Sequence, residues 1–339
     1  MKYYSGLDVS LKETFISVID ANGLSVKEGF VPTDIKAIST FLKESGVVYE
    51  TIGIESGQLS ISFCKGLRAA GLPVTCVDAR HMASVLSARI NKNDRNDARG
   101  IAQMMRAGLY KEVQVKSDEA CQLKVLLGSR RQLVMNRQQL MGTVRGLLKI
   151  YGIKLGKKTV LESFGMRVEK AISVLDPVTG ASIRALLTSL EAIAASLRQI
   201  NKMVEMLGKE DEDCQRLMTI PGVGAITAMT YKAALDDPSR FERSETVGAY
   251  MGLTPRQYAS GEVDRHGSIS KMGPQECRSM LYEAAQVLLN ICKAKSQLRT
   301  WGLKLAKKKG NKKAVVAVAR KLAVIMHRML VDKTEFASQ

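Results

Sequence analysis

The sequence predicts an α/β domain at the N-terminus followed by a largely helical remainder. Three observations carry that expectation. Short strand-like runs alternate with helical periods over roughly the first hundred residues, apolar residues then recur at helical spacing with few breaks, and basic charge gathers near the C-terminus. At 339 residues the chain is longer than a typical single domain, so more than one core is expected.

"YYSGLDVS", "TFISVIDANG" and "LSVKEGFV" read as three consecutive strands, the last two joined by an Asn-Gly turn of the kind that closes hairpins. A helix follows over "TDIKAISTFLKESG", with Thr33 or Asp34 as N-cap and Gly46 as its stop. Strand "YETIGIES", helix "QLSISFCKGLRAAG" and strand "LPVTCVDA" come next, and the segment ends in a helix beginning near Asp94. Three antiparallel strands followed by alternating helix and parallel strand is the order of a ribonuclease H-like, Holliday-junction-resolvase-like domain. It is placed at residues 1–115.

Residues 116–213 are read as a helical, coiled-coil region. It breaks at "YGIKLGKKTV" and "DPVTGAS", with two long amphipathic helices that form an antiparallel pair or an oligomerising coiled coil. "GKKTVLESFG" between them reads as a loop. Residues 214–339 form the third region, mainly helical, with a helix-hairpin-helix-like element at Pro221-Gly222-Val223-Gly224. Such a turn presents backbone N–H groups to a phosphate, Gly222 and Gly224 being the candidate contacts; it also serves as an ordinary tight turn between helices.

Net charge is +18, and residues 293–333 hold 13 basic side chains against one acidic. Lys307, Lys308, Lys309, Lys312 and Lys313 are its densest part, a phosphate-binding footprint because cations that neutralise phosphates release condensed counterions. Few aromatics favour duplex backbones over stacked single strands. The six cysteines show no CxxC pair and the three histidines stand far apart, so neither a disulfide framework nor a zinc site is expected. No apolar run of spanning length and no secretory leader is apparent, which places the chain in the cytoplasm, on the nucleoid when acting, with no membrane partner.

Asp8 and Glu55 fall at strand ends, where open α/β sheets form sites, and Asp94 and Asp97 lie three apart at a helix start and project from one face. Four carboxylates so placed can hold a pair of hard divalent ions, Mg²⁺ or Mn²⁺, that clamp the attacking and leaving oxygens of a phosphodiester. Each acid also has an ordinary reading: Asp94 as a helix N-cap, Asp97 as a dipole-favoured residue, Asp8 as a turn former. Glu55 ends an apolar strand and needs a partner if buried. A second candidate is "LTPRQYASGEVDRHGSISKMG", where Ser260, Ser268 and Ser270 are possible nucleophiles among the basic Arg256, Arg265, His266 and Lys271. On physical grounds the three serines are not separable.

The stretches "GLDVS", "GIESG" and "KNDRNDAR" resemble the Asp-Glu-Asp-Asp set of the Piv-like DEDD transposase family, and "LMTIPGVGAITA", "GAYMGLTPRQYASG" and "HGSISKMGPQECRSMLYEAA" resemble its second half. Ser56-Gly57-Gln58 after the Glu differs from the small residue, Thr and Gly of the family pattern. The resemblance implies an insertion-sequence recombinase in which Asp8, Glu55, Asp94 and Asp97 bind metal. It also selects Ser260, in the Tyr-x-Ser-Gly portion, as a nucleophile that forms a phosphoserine. It further implies double-stranded DNA partners (element ends and target), a structured guide RNA and a homo-oligomer, dimer or tetramer. The alternative is a metal-dependent junction endonuclease that uses water.

Overall fold

The Asn-Gly turn forms as its sequence dictates. Asp20 Oδ1 accepts from the N–H groups of Asn22 and Leu24, both at 2.9 Å, and Gly23 takes φ 86°, a conformation open to glycine. It joins β2 (Glu13–Asp20) to β3 (Ser25–Pro32), and β2 pairs antiparallel with β1 (Tyr3–Val9). The computed structural model describes residues 1–86, 93–156, 161–260 and 263–337. These fall into two compact units, Met1–Lys116 and Ser117–Gln339.

In the first unit the chain continues through α1 (Ile35–Lys43), β4 (Tyr49–Glu55), α2 (Ser60–Ala69), β5 (Val74–Val77), α3 (Ala79–Leu86) and α4 (Asp94–Ala107). Asp34 is the N-cap of α1, accepting from Ala37 N–H at 3.0 Å. The five-stranded sheet has the order β3-β2-β1-β4-β5, with β4 parallel to both β1 and β5. Period-two alternation sends Leu7, Ile16, Val18, Ile52 and Ile54 into one core with Ile38 and Leu42 of α1 and Phe63 and Leu67 of α2. The opposite face is covered by α4.

That second face is where glycine matters. A Cβ on Gly6 would stand 2.2 Å from Ala98 O and 2.4 Å from Ala102 N, and one on Gly53 would stand 2.6 Å from Ile101 Cγ2. The backbone of α4 therefore lies directly on the two central strands. Helix α3 was not expected from the sequence; Asp78 starts it by accepting from Arg80 and His81 N–H, both at 2.9 Å.

The second unit opens with α5 (Asp118–Ile150), α6 (Leu161–Ile172) and α7 (Pro177–Glu210). Leu127 packs in one core with Val204, and Val144 and Leu148 in another with Ile183 and Leu187, so α5 and α7 run antiparallel within one chain. Buried residues of α7 at 183, 187, 190, 194, 197 and 204 follow the heptad spacing of such a pair. At "DPVTGAS" the helical run does break, α6 having ended at Ile172, and α7 starts there: Asp176 caps it and Pro177 occupies the first turn, where its missing N–H costs nothing. The expected loop at "GKKTVLESFG" is helical from Leu161, while residues 157–160 lie outside the described residues. By length and composition α7 is apolar enough to cross a membrane, contrary to the sequence reading; its apolar positions pack against α5.

The remaining helices are α8 (Glu212–Met218), α9 (Ala225–Leu235), α10 (Val247–Tyr250), α11 (Gln275–Asn290), α12 (Gln297–Lys309) and α13 (Asn311–Asp332). They enclose a core to which α13 contributes Val315, Val318, Leu322 and Met326. Buried His327 bonds Ser244 Oγ through Nδ1 and donates from Nε2 to the Pro238 carbonyl, both at 2.9 Å. A two-stranded hairpin, β6 (Pro255–Ser260) and β7 (Val263–Ile269), interrupts the helices of this mainly helical region.

Gly6→Ala should destabilise the first unit by at least about 2 kcal/mol, because backbone and not a flexible side chain occupies the space its methyl needs. Gly142→Ala on α5, with nothing within 4 Å of the new methyl, should be neutral or stabilising by up to about 1 kcal/mol. Urea unfolding of the full chain, with hydrogen exchange at α4 to report the first unit, checks both signs.

Candidate functional site

Two adjacent strands carry the same three-residue pattern, Gly6-Leu7-Asp8 and Gly53-Ile54-Glu55. Gly6 pairs with Gly53 and Leu7 with Ile54, so Asp8 and Glu55 end neighbouring strands side by side. Since both glycines face α4, period two turns both acids to that same face. Helix α4 lies on β1 and β4, with Ala98, Ile101 and Ala102 over Gly6 and Met105 over Gly53; its Arg95 lies over Phe15, the partner of Asp8, and its Arg106 reaches Ala21 near the start of β1, so its N-terminus lies toward the strand ends. Asp94 and Asp97 precede Ala98 and Ile101 by four residues on the stripe of α4 that meets the sheet.

The ordinary reading of Asp94 does not hold. Asn93 is the N-cap, its side chain accepting from Asn96 N–H at 2.8 Å, and Asp94 occupies the first helical position. Both acids are favoured there by the helix dipole.

Helix α4 is fastened along its other side to the β2–β3 ribbon. Arg99 forms a fork with Glu28, Nε to Oε1 at 2.8 Å and Nη2 to Oε2 at 2.5 Å, and Ser17 Oγ donates to Glu28 at 2.8 Å. Gln103 donates to Gly23 O at 2.9 Å and Arg106 to Ala21 O at 3.2 Å. Arg95 lies over the rings of Phe15 and Phe30, at 5.8 and 5.7 Å from their centroids. None of these fasteners was foreseen. The repeated Gly-x-acid pattern and the four-residue spacing of Arg95, Arg99 and Gln103 were the signals available.

The four acids suit a hard divalent cation in donor chemistry, being oxygen ligands only, and in placement at one sheet end. Among the described residues no three His, Cys, Asp or Glu side chains stand close enough to hold an ion. Asp94 is exposed, and Asp8, Glu55 and Asp97 are half-buried.

Ser260 belongs to the second unit, at the end of β6, every residue of which is exposed. Tyr258 shares its face of the strand and pairs with Arg265 across the hairpin. The hairpin base is set by two glycines: a Cβ on Gly252 would stand 2.1 Å from Met272 O, and one on Gly273 1.9 Å from Tyr250 O. Arg278 Nη1 donates to Met251 O at 3.0 Å. Of the rival serines, Ser268 is exposed on β7, while Ser270 is half-buried beside the base. Arg256 donates to Ser270 O at 3.3 Å, and Lys271 is exposed at φ 56°. The His266 side chain, like Gly261 and Glu262, lies outside the described residues.

Gly222 has a packing duty: at φ 92° its missing Cβ lets the turn approach α11, where Ala284 O would be 2.9 Å away. Gly224 precedes α9 beside a cleft of about 470 Å³ whose lining includes Arg130, Asn201 and Thr227. Lys307, Lys308, Lys309, Lys312 and Lys313 are all exposed around Gly310, between α12 and α13. Beyond them, α13 buries an apolar face in the core while Arg320, Lys321 and Arg328 on it remain exposed.

Residues 5–153 match a profile described as a transposase and carrying the DEDD designation, and residues 214–300 match the transposase IS116/IS110/IS902 family. The chain is 33% identical to the transposase for insertion sequence element IS1111A of Coxiella burnetii, over 77% of this chain and 72% of that one. A probable family 20 transposase of Pseudomonas aeruginosa is 27% identical, over 72% and 73% of the two chains. The pilin gene-inverting protein of Moraxella bovis is 27% identical over 41% and 43%.

The hydrogen bond from Arg99 holds the Glu28 carboxyl below the usual carboxylate range, against a smaller opposing effect of burial. A depressed folded-state pKa contributes stability that is full above the unfolded carboxylate value, about 4.3, and is lost as pH falls through the folded one. Glu28→Gln should therefore lower stability at neutral pH and flatten its decline on acidification, as read by urea unfolding between neutral and acid pH.

Proposed function

Because the chain belongs to the IS110/IS116 family of insertion-sequence transposases, we propose that it cuts and rejoins DNA with Asp8, Glu55, Asp94 and Asp97 as metal ligands and Ser260 as nucleophile. The observation that supports the reading is the placement of two Gly-x-acid strand ends and one acidic helix start at the same end of the sheet. The strand order supports a ribonuclease H-like assignment for this unit.

Mg²⁺ or Mn²⁺ held there would polarise the scissile phosphodiester and stabilise charge on its oxygens. Ser260 releases its hydroxyl proton to water as Oγ attacks phosphorus; a new P–O bond forms, the bond to the departing strand breaks, and that strand's oxygen takes up a proton from water. The phosphoserine conserves the bond energy, so a second strand's hydroxyl can displace the serine and complete the exchange. An exposed hairpin suits a nucleophile that must reach a bulky duplex. Arg256, Arg265 and Lys271 supply positive charge near the phosphate.

The exposed lysines at 307–309, 312 and 313 hold nucleic-acid backbone, whether element-end DNA, target DNA or a structured guide RNA that selects sequence by base pairing. Placement of the acids and the serine in separate compact units favours a homo-oligomer, dimer or tetramer, in which copies share sites. The same division also accommodates hydrolysis by the first unit alone, with water as nucleophile.

A denaturing gel after incubation with Mg²⁺, labelled element-end DNA, target DNA and candidate RNA separates these. Wild type should yield label covalently attached to protein, absent from Ser260→Ala and Asp94→Ala. Nicked DNA with no attached label, and an active Ser260→Ala, would establish hydrolysis instead. Asp97→Asn should abolish strand cutting while leaving duplex binding within about tenfold. Replacing the five lysines by Gln should weaken binding and flatten its salt slope by about 0.9 for each phosphate no longer neutralised.

A further inference from the structure

The row of paired residues that contains the acids does not end at them. Asp8 is paired with Phe15 on β2, and Phe15 with Phe30 on β3, so Glu55, Asp8, Phe15 and Phe30 stand in line on the α4 face of four successive strands. Phe15 is 4% exposed and meets Phe30 edge to face at 4.7 Å, whereas Phe30 is 45% exposed. Arg95, one residue from Asp94, lies over both rings and is itself exposed. Among the described residues it makes no ion pair, unlike Arg99 one turn on.

An exposed aromatic ring with a guanidinium beside it is what single-stranded nucleic acid binds: the ring takes a base face and the cation an adjoining phosphate. Aromatics make up only 5% of this chain, and this one shares its row with the acids. Two strand spacings separate Phe30 from Asp8, about 10 Å, or about three stacked nucleotide steps. We infer that Phe30 and Arg95 form a stacking shelf for an unpaired base of the DNA strand being cut, within about three nucleotides of the scissile phosphate. The shelf rests on the proposed role of the four acids, and it implies that the strand is locally opened before it is cut.

The test uses full-length protein carrying Asp97→Asn and a forked duplex with a labelled single-stranded arm. Affinity is read by fluorescence anisotropy while an abasic linker is walked along the arm. With Phe30 present, one arm position should lose about tenfold in affinity when its base is removed. Phe30→Leu, which keeps apolar cover but has no ring face, should bring that ratio to about one, and Phe30→Tyr should keep it. Arg95→Gln should weaken every probe alike and reduce the salt slope by about 0.7, the single-strand value for one phosphate. A base-to-abasic ratio of one at every position with Phe30 present, or a ratio that survives Phe30→Leu, overturns the shelf. Residual strand cutting by the Asp97→Asn protein would instead overturn the role of the acids, so the two failures are told apart.

Discussion

The contact on which the first unit depends is the seating of α4 on two glycines. A helix normally stands off a sheet by the thickness of side chains, and Gly6 and Gly53 remove that thickness at the two central strands. Seating at that depth sets the height of the acids on α4 above the acids on β1 and β4. A helix held higher would carry its acids farther from those of the sheet. Each Gly-x-acid pattern thus couples a packing requirement to the placement of a carboxylate two residues later.

Depth alone leaves the helix able to slide or roll, and the fasteners along its flank limit both. Arg99 grips Glu28, and Gln103 and Arg106 hold the backbone of the β2–β3 turn. These contacts come from an edge ribbon that supplies none of the four acids. A similar division holds in the second unit, where Gly252, Gly273 and Arg278 fix the hairpin base while β6 stays open to solvent.

Much of this was legible in the residues. Strand runs, the Asn-Gly turn, Asp34 as a cap and the start of α4 near Asp94 follow from local chemistry that tertiary contacts did not override. What stayed hidden depends on contacts distant in sequence. Asn93 and Asp94 are both good caps, and only the folded chain shows which one turns inward. The stretch after residue 293 combines lysines with Ala and Val, and composition alone could not reveal that α13 is a core helix with its cations confined to the exposed side. Helix α3 is short and its start depends on Asp78, a residue equally at home in a loop. The row from Glu55 to Phe30 requires strand register, which no single segment encodes.

The antiparallel pair α5 and α7 has a mechanical consequence. Helices of 33 and 34 residues extend about 50 Å, and α6 packs with the end of the pair away from the α8–α13 core. Two interlocked rods of that length bend far less than one, so the pair behaves as a lever. A tilt of about 5° at its root sweeps the tip through about 4 Å, more than a nucleotide step along a duplex.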